Sequence, residues 1–257
     1  MQATDRNNYW AWSKPLISAT CALVLLLLVA HMSSGSQKRK SDMGPRDFVK
    51  FKEAALLALK ENKLVVAEDQ FHAAERALDQ RSEYIDQEIE TLMNLSEVYR
   101  RLNQMDKARQ SVQSAVDLVE KKFGKNSGRL PPILNKLAFL YQDRRQQTTI
   151  LKESLLIQEN LLGPKNPSLL ITLMHLSGTE RDPVRIEYMR RAYDLRKRMA
   201  GFKQNGNSEP IAYILSTLYL TQGNFAEAVK LGNEAVDLAV AFYGKGSPAE
   251  IESTIAL

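Results

Sequence analysis

The side chains that most often carry out chemistry are few and scattered in this 257-residue sequence. The three histidines, His31, His72 and His175, form no cluster of ligands at metal-binding spacing, and the single cysteine, Cys21, lies inside an apolar run. No serine or cysteine stands in a nucleophile motif. The GKGS sequence at Gly244 lacks the leading glycine and the preceding strand of a phosphate-binding loop. We therefore predict no catalytic residue, no metal site and no cofactor, and hence a protein that is not an enzyme.

The charge balance favours an ordinary solvated surface over a nucleic-acid-binding one. The formal net charge is only +5, and residues of both signs are interleaved along the chain. No basic patch is interleaved with aromatic residues, which is the pattern typical of nucleic-acid binding. Hydrophobic residues make up 44% and charged residues 25%, the usual balance for a folded domain. We therefore expect a protein or peptide partner, with no nucleic acid and no small-molecule substrate.

A pattern of small and large residues that recurs about every 40 residues organises most of the chain. Its five copies begin at positions 51, 92, 134, 173 and 212. Within each copy, apolar residues recur at three- and four-residue steps, which places them on one face of a helix. In the last copy Gly223 and Asn224 interrupt this pattern, because a residue that adopts positive φ easily ends a helix at low cost. Each copy is therefore predicted to be a helix-turn-helix unit that needs similar neighbours to bury its apolar face.

The pattern resembles the tetratricopeptide repeat. The clearest matching positions are Phe51, Ala55, Ala58, Ala67 and Ala74 in unit one, Leu92, Leu95, Ser96, Tyr99, Ala108 and Ala115 in unit two, and Ala212, Leu215, Ser216, Tyr219, Ala228, Gly232 and Ala235 in unit five. The period resembles the kinesin-light-chain-like branch, whose longer second helix closes in a motif of the form R-E-K-x-L-G-P-x-H-P. Comparable sequences here contain Gly124, Gly163, Gly201 and Gly244.

The resemblance covers residues 48–257 and implies an all-α, right-handed solenoid of about five helix-turn-helix repeats. Unit four departs from the pattern, because Glu180 stands where units two, three and five carry tyrosine and Pro183 lies at the turn. Units three and four are also shorter by about one helical turn, so we expect tighter turns or shorter helices there. A lone helix that begins at Pro248 is predicted to cap the last repeat.

The N-terminal region divides into a polar tail (1–14), an apolar segment (15–32) and a flexible basic linker (33–45), followed by the repeat domain (46–257). The apolar run begins at Leu16 and ends at Met32, which is close to the lower limit for a bilayer-spanning helix. We predict a retained single-pass anchor, with a cleaved signal peptide and export as the alternative. Basic residues after the run favour a cytoplasmic repeat domain. A single N-terminal apolar segment more often exports the domain behind it, so the side of the membrane stays open.

In tetratricopeptide repeats the first helix of each unit lines a concave groove, and this resemblance supplies the candidate site. Polar or exposed aromatic residues there are not needed for packing and are candidates for partner binding. The predicted groove residues are Lys52, Asn94, Glu97, Arg101, Asn135, Lys136, Phe139, His175, Tyr213 and Thr217, with Leu56 and Met93 beside them. Asn94 and Asn135 resemble asparagines of kinesin-light-chain repeats that can bond the backbone of a bound peptide.

A carboxylate clamp is a more specific version of this site. Some chaperone-binding tetratricopeptide domains capture a C-terminal carboxylate with five residues, and Lys52, Asn94 and Lys136 fall at three of those positions. Leu56 and Pro132 occupy the other two, where asparagine and lysine are expected.

We predict a non-catalytic, membrane-tethered module that binds partner peptides or proteins in its groove, since repeat arrays build extended binding surfaces without chemistry of their own. The first alternative is an assembly factor for a membrane protein complex. The second is an enzyme whose site is not recognisable in the sequence.

Overall fold

The computed structural model describes residues 44–78, 82–199 and 208–255, which form eleven α-helices and two short 3-10 helices. No helix within these ranges is long and apolar enough to cross a membrane. The predicted tail and anchor, residues 1–32, lie outside the described residues. The α-helices are α1 (Pro45–Lys60), α2 (Leu64–Leu78), α3 (Ile85–Arg101), α4 (Met105–Phe123), α5 (Leu130–Phe139), α6 (Arg144–Leu162), α7 (Leu170–Thr179), α8 (Val184–Arg198), α9 (Ser208–Thr221), α10 (Phe225–Tyr243) and α11 (Pro248–Ile255).

Consecutive helices pair into five helical hairpins that stack in chain order, and α11 packs on α10. The pairs α1–α2, α3–α4, α5–α6, α7–α8 and α9–α10 are units one to five. Small residues permit the close approach of the paired helices, since Ala55, Ala67, Ala108, Ala115 and Ala235 are fully buried. The predicted all-α repeat solenoid with a C-terminal capping helix is confirmed.

The turns of units one, two and five share one backbone arrangement. The second residue beyond the first helix adopts a positive φ, at 58° for Asn62, 59° for Asn103 and 76° for Gly223. The N–H group of the next residue donates to the carbonyl oxygen five residues earlier, at 2.8 to 2.9 Å. This is the Schellman arrangement, which satisfies carbonyl groups at the helix end. The turn predicted at Gly223 is therefore present.

Units three and four have shortened first helices. Helices α5 and α7 contain 10 residues each, against 16 in α1, 17 in α3 and 14 in α9. The missing turn lies at the end that joins the second helix. This outcome matches the expectation of shorter helices in these two units, and it changes the edge of the stack at that point.

One position near the end of each first helix connects neighbouring units. Its side chain reaches the second helix of the preceding unit in all four unit junctions. The contacts are Tyr99 with His72, Tyr141 with Arg109, Glu180 with Lys152 and Tyr219 with Arg190. The two hydroxyl contacts are 2.9 Å long, and the Glu180–Lys152 ion pair is 2.7 Å long. Glu180 therefore departs from the sequence pattern but keeps the connection between units.

The predicted repeat boundaries end the second helices. Gly124, Gly163 and Gly244 adopt φ values of 84°, 80° and 87°, and each donates its N–H to a carbonyl of the last helical turn. Such φ values favour glycine because it has no Cβ. The GKGS sequence at Gly244 is accordingly a repeat boundary. The fourth predicted boundary, Gly201, lies outside the described residues.

Candidate functional site

A cleft of about 730 Å³ opens across α3, α5 and α7, and the end of α6 closes one side of it. Three consecutive first helices and one second helix therefore build the cleft. Half of the predicted groove residues line it: Glu97, Asn135, Lys136, Phe139 and His175. The stacking of units two, three and four brings these side chains together from positions as far as 78 residues apart in the sequence.

Exposed apolar side chains surround the middle of the cleft. The Phe139 side chain is 73% exposed, and its ring centre lies 6.2 Å from that of His175 with an angle of 47° between the planes. Ile171 is 59% exposed, and Leu161 and Leu162 are about half exposed. Contiguous exposed apolar groups beside a cavity are typical of interaction sites.

His175 is neutral over a wider pH range than an exposed histidine. It is half-buried beside Phe139, and this burial lowers the pKa of its imidazole below 6.5. The cause is desolvation, which penalises the charged form. At neutral pH the side chain therefore offers an aromatic face together with one hydrogen-bond donor and one acceptor.

One corner of the cleft is basic. The Glu97 carboxylate accepts hydrogen bonds from Arg100 Nε and Nη2 and from Arg101 Nε, each at 2.8 Å. The bonds from Arg100, and then those from Arg101, lower the pKa of Glu97 to about 2 despite the opposing effect of its partial burial. With Lys136 nearby, three cations face one carboxylate, so the corner keeps an excess of positive charge.

The two lysines of the predicted carboxylate clamp already hold acceptors of the protein itself. Lys136 Nζ donates to the carbonyl oxygen of Met93 at 2.7 Å, and burial lowers the pKa of its ammonium group. Lys52 Nζ forms an ion pair of 2.5 Å with Glu90 on α3. Both contacts connect first helices of neighbouring units.

Polar side chains on the floor of the cleft connect three helices. Asn135 Nδ2 donates to Thr172 Oγ1 at 2.8 Å, and Asn135 Oδ1 accepts from Ser154 Oγ at 2.9 Å. Gln158 Nε2 donates to the carbonyl oxygen of Ser168 at 2.9 Å, while its buried Oε1 has no hydrogen-bond partner. The Asn135 amide therefore serves the packing of units three and four, and a role in binding a peptide backbone stays a prediction.

The other predicted groove residues lie beside or beyond the cleft. Arg101 bonds Glu97 and the carbonyl oxygen of Leu59, and Asn94 is half-buried on the same helix. Lys52 belongs to unit one. Tyr213 packs against the core of units four and five, and the hydroxyl of Thr217 donates to the backbone of its own helix. Among the described residues, no group of three or more His, Cys, Asp or Glu could hold a metal ion.

Two further cavities continue from the cleft toward the opposite edge of the stack. A cavity of about 290 Å³ shares Asn135, Phe139 and His175 with the cleft and extends along α7 to Thr179. A third, of about 750 Å³, contains Thr179 and lies between the shortened turns of units three and four. The three cavities therefore form one row, which runs from α3 and α5 along α7 to the beginning of α6 and the turn between α7 and α8.

The wall that α6 supplies was not predicted from the sequence. Gln158, Leu161 and Leu162 precede the boundary glycine of unit three, in a stretch whose sequence indicates only the end of a helix. Two adjacent leucines after a polar helical turn are visible in the sequence, but their place in the cleft is not. Arg100 and Ile171 also line the cleft and were not predicted.

Comparison with known proteins identifies the repeat. Residues 89–127, which lie within unit two and the loop after it, match the tetratricopeptide repeat family. No curated protein matches the sequence significantly. BtubC (BKLC) from P. vanneervenii is similar in structure, with 18% identity, a TM-score of 0.68, and coverage of 89% of this chain and 92% of that protein.

Two other solved structures share the fold. A putative kinesin light chain with TPR-like repeats from Podosopora anserina is 16% identical, with a TM-score of 0.61 and coverage of 82% of this chain and 100% of that one. A Rap protein in complex with Competence and Sporulation Factor is 15% identical, with a TM-score of 0.53 and coverage of 89% of this chain and 67% of that one. The predicted tetratricopeptide repeat is confirmed at residues 89–127 by the family match, and the chain shares the fold of these solved structures, one of which has kinesin-light-chain TPR-like repeats.

Proposed function

We propose that this chain, a stack of tetratricopeptide repeats, is a non-catalytic module that binds an extended segment of a partner protein in the cleft between α3, α5 and α7. The observation that carries the proposal is Phe139, a phenylalanine that is 73% exposed at the centre of a cleft with further exposed apolar side chains. Burying such a ring and its neighbours against a ligand removes apolar surface from water, which is the main driving force for association.

The charges around Phe139 define the chemistry of the partner segment. A bulky apolar side chain would cover Phe139 and Ile171, and an acidic group would lie near Arg100 and Arg101. The cleft crosses three units, so an extended backbone fits it better than a compact surface does. The Rap protein shares this fold and was solved in complex with Competence and Sporulation Factor, which supports a binding role for the fold.

The binding module would be held at a membrane by the apolar run from Leu16 to Met32. The length and composition of this run support a retained anchor, and extraction of membranes at alkaline pH distinguishes an anchored chain from an exported soluble one. Protease protection of a C-terminal tag reports the side on which the repeats lie. If the partner is an unassembled subunit of a membrane complex, the module acts as an assembly factor.

Peptide display against the full-length chain, followed by affinity measurement on the selected peptides, tests the proposed cleft. Phe139→Ala should raise Kd about tenfold or more, since truncating a buried aromatic contact removes about 1.5–3 kcal/mol. Phe225→Ala is the matched control, because Phe225 is 64% exposed on α10 and lies outside the cleft. Equal affinities of the two variants for the selected peptides would place the binding site elsewhere.

A further inference from the structure

We propose that unit one lies on an anionic membrane surface, with the exposed side of α1 and the beginning of α2 facing the lipid headgroups. The inference rests on the proposed N-terminal anchor, and it concerns a surface that is separate from the peptide-binding cleft. Three observations carry it: a set of exposed apolar side chains, their position among basic residues, and the length of chain that joins unit one to the apolar run.

Unit one exposes more large apolar side chains than the unit stacked on it. The exposed set is Val49, Leu56 and Leu57 on α1 and Val65 and Val66 on α2, with exposed fractions between 39% and 64%. Among the described residues of unit two, the helices expose only Phe123 in the same way. Contiguous exposed apolar side chains are typical of interaction sites, so we expect a partner of unit one to cover them.

The exposed residues of α1 form one side of an amphipathic helix. Each residue advances about 100° around the helix axis, which places Val49, Leu56 and Leu57 within an arc of about 100°. Phe48 and Ala58, which are buried in the repeat core, point to the other side. Lys60 and Glu53, both exposed, lie within the same arc, and Lys50 lies at its edge. An amphipathic helix with apolar and basic residues on one side is typical of interfacial membrane binding.

Charge complementarity selects an anionic bilayer among the possible partners. The exposed charged residues from the beginning of α1 to the beginning of α2 are the cations Arg46, Lys50, Lys60 and Lys63 and the anions Glu53 and Glu61. Cations therefore exceed anions by two, and the linker adds the basic run at positions 38–40. The three cavities described above contain no residue of α1 or α2. A surface that is both basic and apolar fits the headgroups of an anionic bilayer.

The linker is long enough for this arrangement and short enough to enforce proximity. Eleven residues lie between Met32 and Gly44, and an extended chain of that length spans at most about 40 Å. Helix α1 is 16 residues long, which corresponds to about 24 Å. A chain anchored through residues 16–32 therefore keeps the whole of α1 within reach of the membrane surface.

A single-site fluorescence experiment on the full-length chain tests the proposal. In a Cys21→Ser background, Leu57→Cys carries an environment-sensitive dye, and Val229→Cys on α10, at a residue that is 49% exposed, carries the control dye. The chain is reconstituted in phosphatidylcholine vesicles with or without phosphatidylserine, and a lipid with a spin label near the headgroup serves as quencher. We expect several-fold stronger quenching at position 57 than at position 229, and weaker quenching at position 57 without phosphatidylserine.

Substitutions of basic residues measure the electrostatic contribution to docking of unit one on the membrane. Lys50→Gln and Lys60→Gln should each lower the equilibrium constant for docking of unit one about fivefold, since a basic residue near an anionic leaflet contributes about that factor. Lys230→Gln and Lys245→Gln in unit five are matched controls and should leave the quenching at position 57 unchanged. Equal effects of the two pairs would overturn the proposal.

Alkaline extraction of the same vesicles separates this inference from the proposed anchor. If the chain resists extraction but the dyes at positions 57 and 229 are quenched equally, the docking surface is wrong while the anchor stands. If the chain is extracted, the anchor is wrong, and the docking surface then stands only if position 57 is still quenched selectively by vesicles before extraction. Binding of displayed peptides in the cleft is unaffected by either result.

Discussion

Replacing Glu97 with glutamine would remove the carboxylate that Arg100 and Arg101 share in the cleft. Its pKa is lowered to about 2 from 4.5, which would correspond to about 3.4 kcal/mol if the group were fully shielded from water. The side chains of Glu97, Arg100 and Arg101 are 25%, 44% and 40% exposed, so screening by solvent reduces this free energy. We therefore expect Glu97→Gln to lower the free energy of unfolding by about 1–2 kcal/mol at neutral pH.

The pH dependence of this loss follows from the direction of the pKa shift. A carboxylate with a lowered folded-state pKa stabilises the fold fully above its unfolded-state pKa, and the contribution is lost as pH falls from about 4.5 to about 2. Urea unfolding of the full-length chain in detergent, followed by far-UV circular dichroism, measures the contribution at about pH 7 and at about pH 3. The difference between the wild type and Glu97→Gln should shrink by about half or more at the lower pH.

Glu153→Gln is the matched control, because Glu153 is an exposed carboxylate on α6 outside the cleft. This substitution should change the free energy of unfolding by less than about 0.5 kcal/mol at either pH. If Glu97→Gln were as stable as Glu153→Gln, or if its loss were the same at both pH values, then the arginine pair would not stabilise the fold through the charge of Glu97.

Three further substitutions test the packing and electrostatics of the cleft and of the repeat core. Asn135→Ala should lower the free energy of unfolding by about 1–3 kcal/mol, because the buried hydroxyl groups of Ser154 and Thr172 would each lose a hydrogen bond to its amide. An unchanged urea midpoint would contradict this. The lowered pKa of His175 means that wild-type stability falls as pH drops below about 6.5, and His175→Gln should abolish that slope in a urea series across this range. Phe71→Ala should cost about 3–5 kcal/mol in the same assay, because Phe71 is fully buried, whereas Phe225→Ala should cost less than about 0.5 kcal/mol.

The stack of repeats could be predicted from sequence because its determinants are local. Small residues such as Ala108 and Ala115 recur at helical spacing within each unit, and the positive φ of Gly223 needs no partner from another unit. Even the departure at Glu180 did not change the fold, since an ion pair with Lys152 replaces a ring contact at the same junction. A pattern of residue types does not show that a glutamate and a tyrosine can make equivalent contacts at the same position.

The cleft could be predicted only in part because its chemistry depends on contacts between units. Phe139 was predicted as a groove residue because it lies on the first helix of its unit, and it lines the cleft. The sequence could not show that the amide of Asn135 bonds a hydroxyl 37 residues away, at Thr172. It also could not show that the end of α6 closes the cleft, since Leu162 reaches that position only when two units stack.

The shortened helices of units three and four decide how a partner chain could enter the site. Ten residues of helix extend about 15 Å, against about 24 Å for the 16 residues of α1, so the edge of the stack is lower by several ångströms at this point. The row of cavities from the cleft to Thr179 ends in this gap. A partner segment bound along that row, as proposed above, would leave the stack sideways through this gap. An internal loop of a folded partner would then reach the site as readily as a free chain terminus.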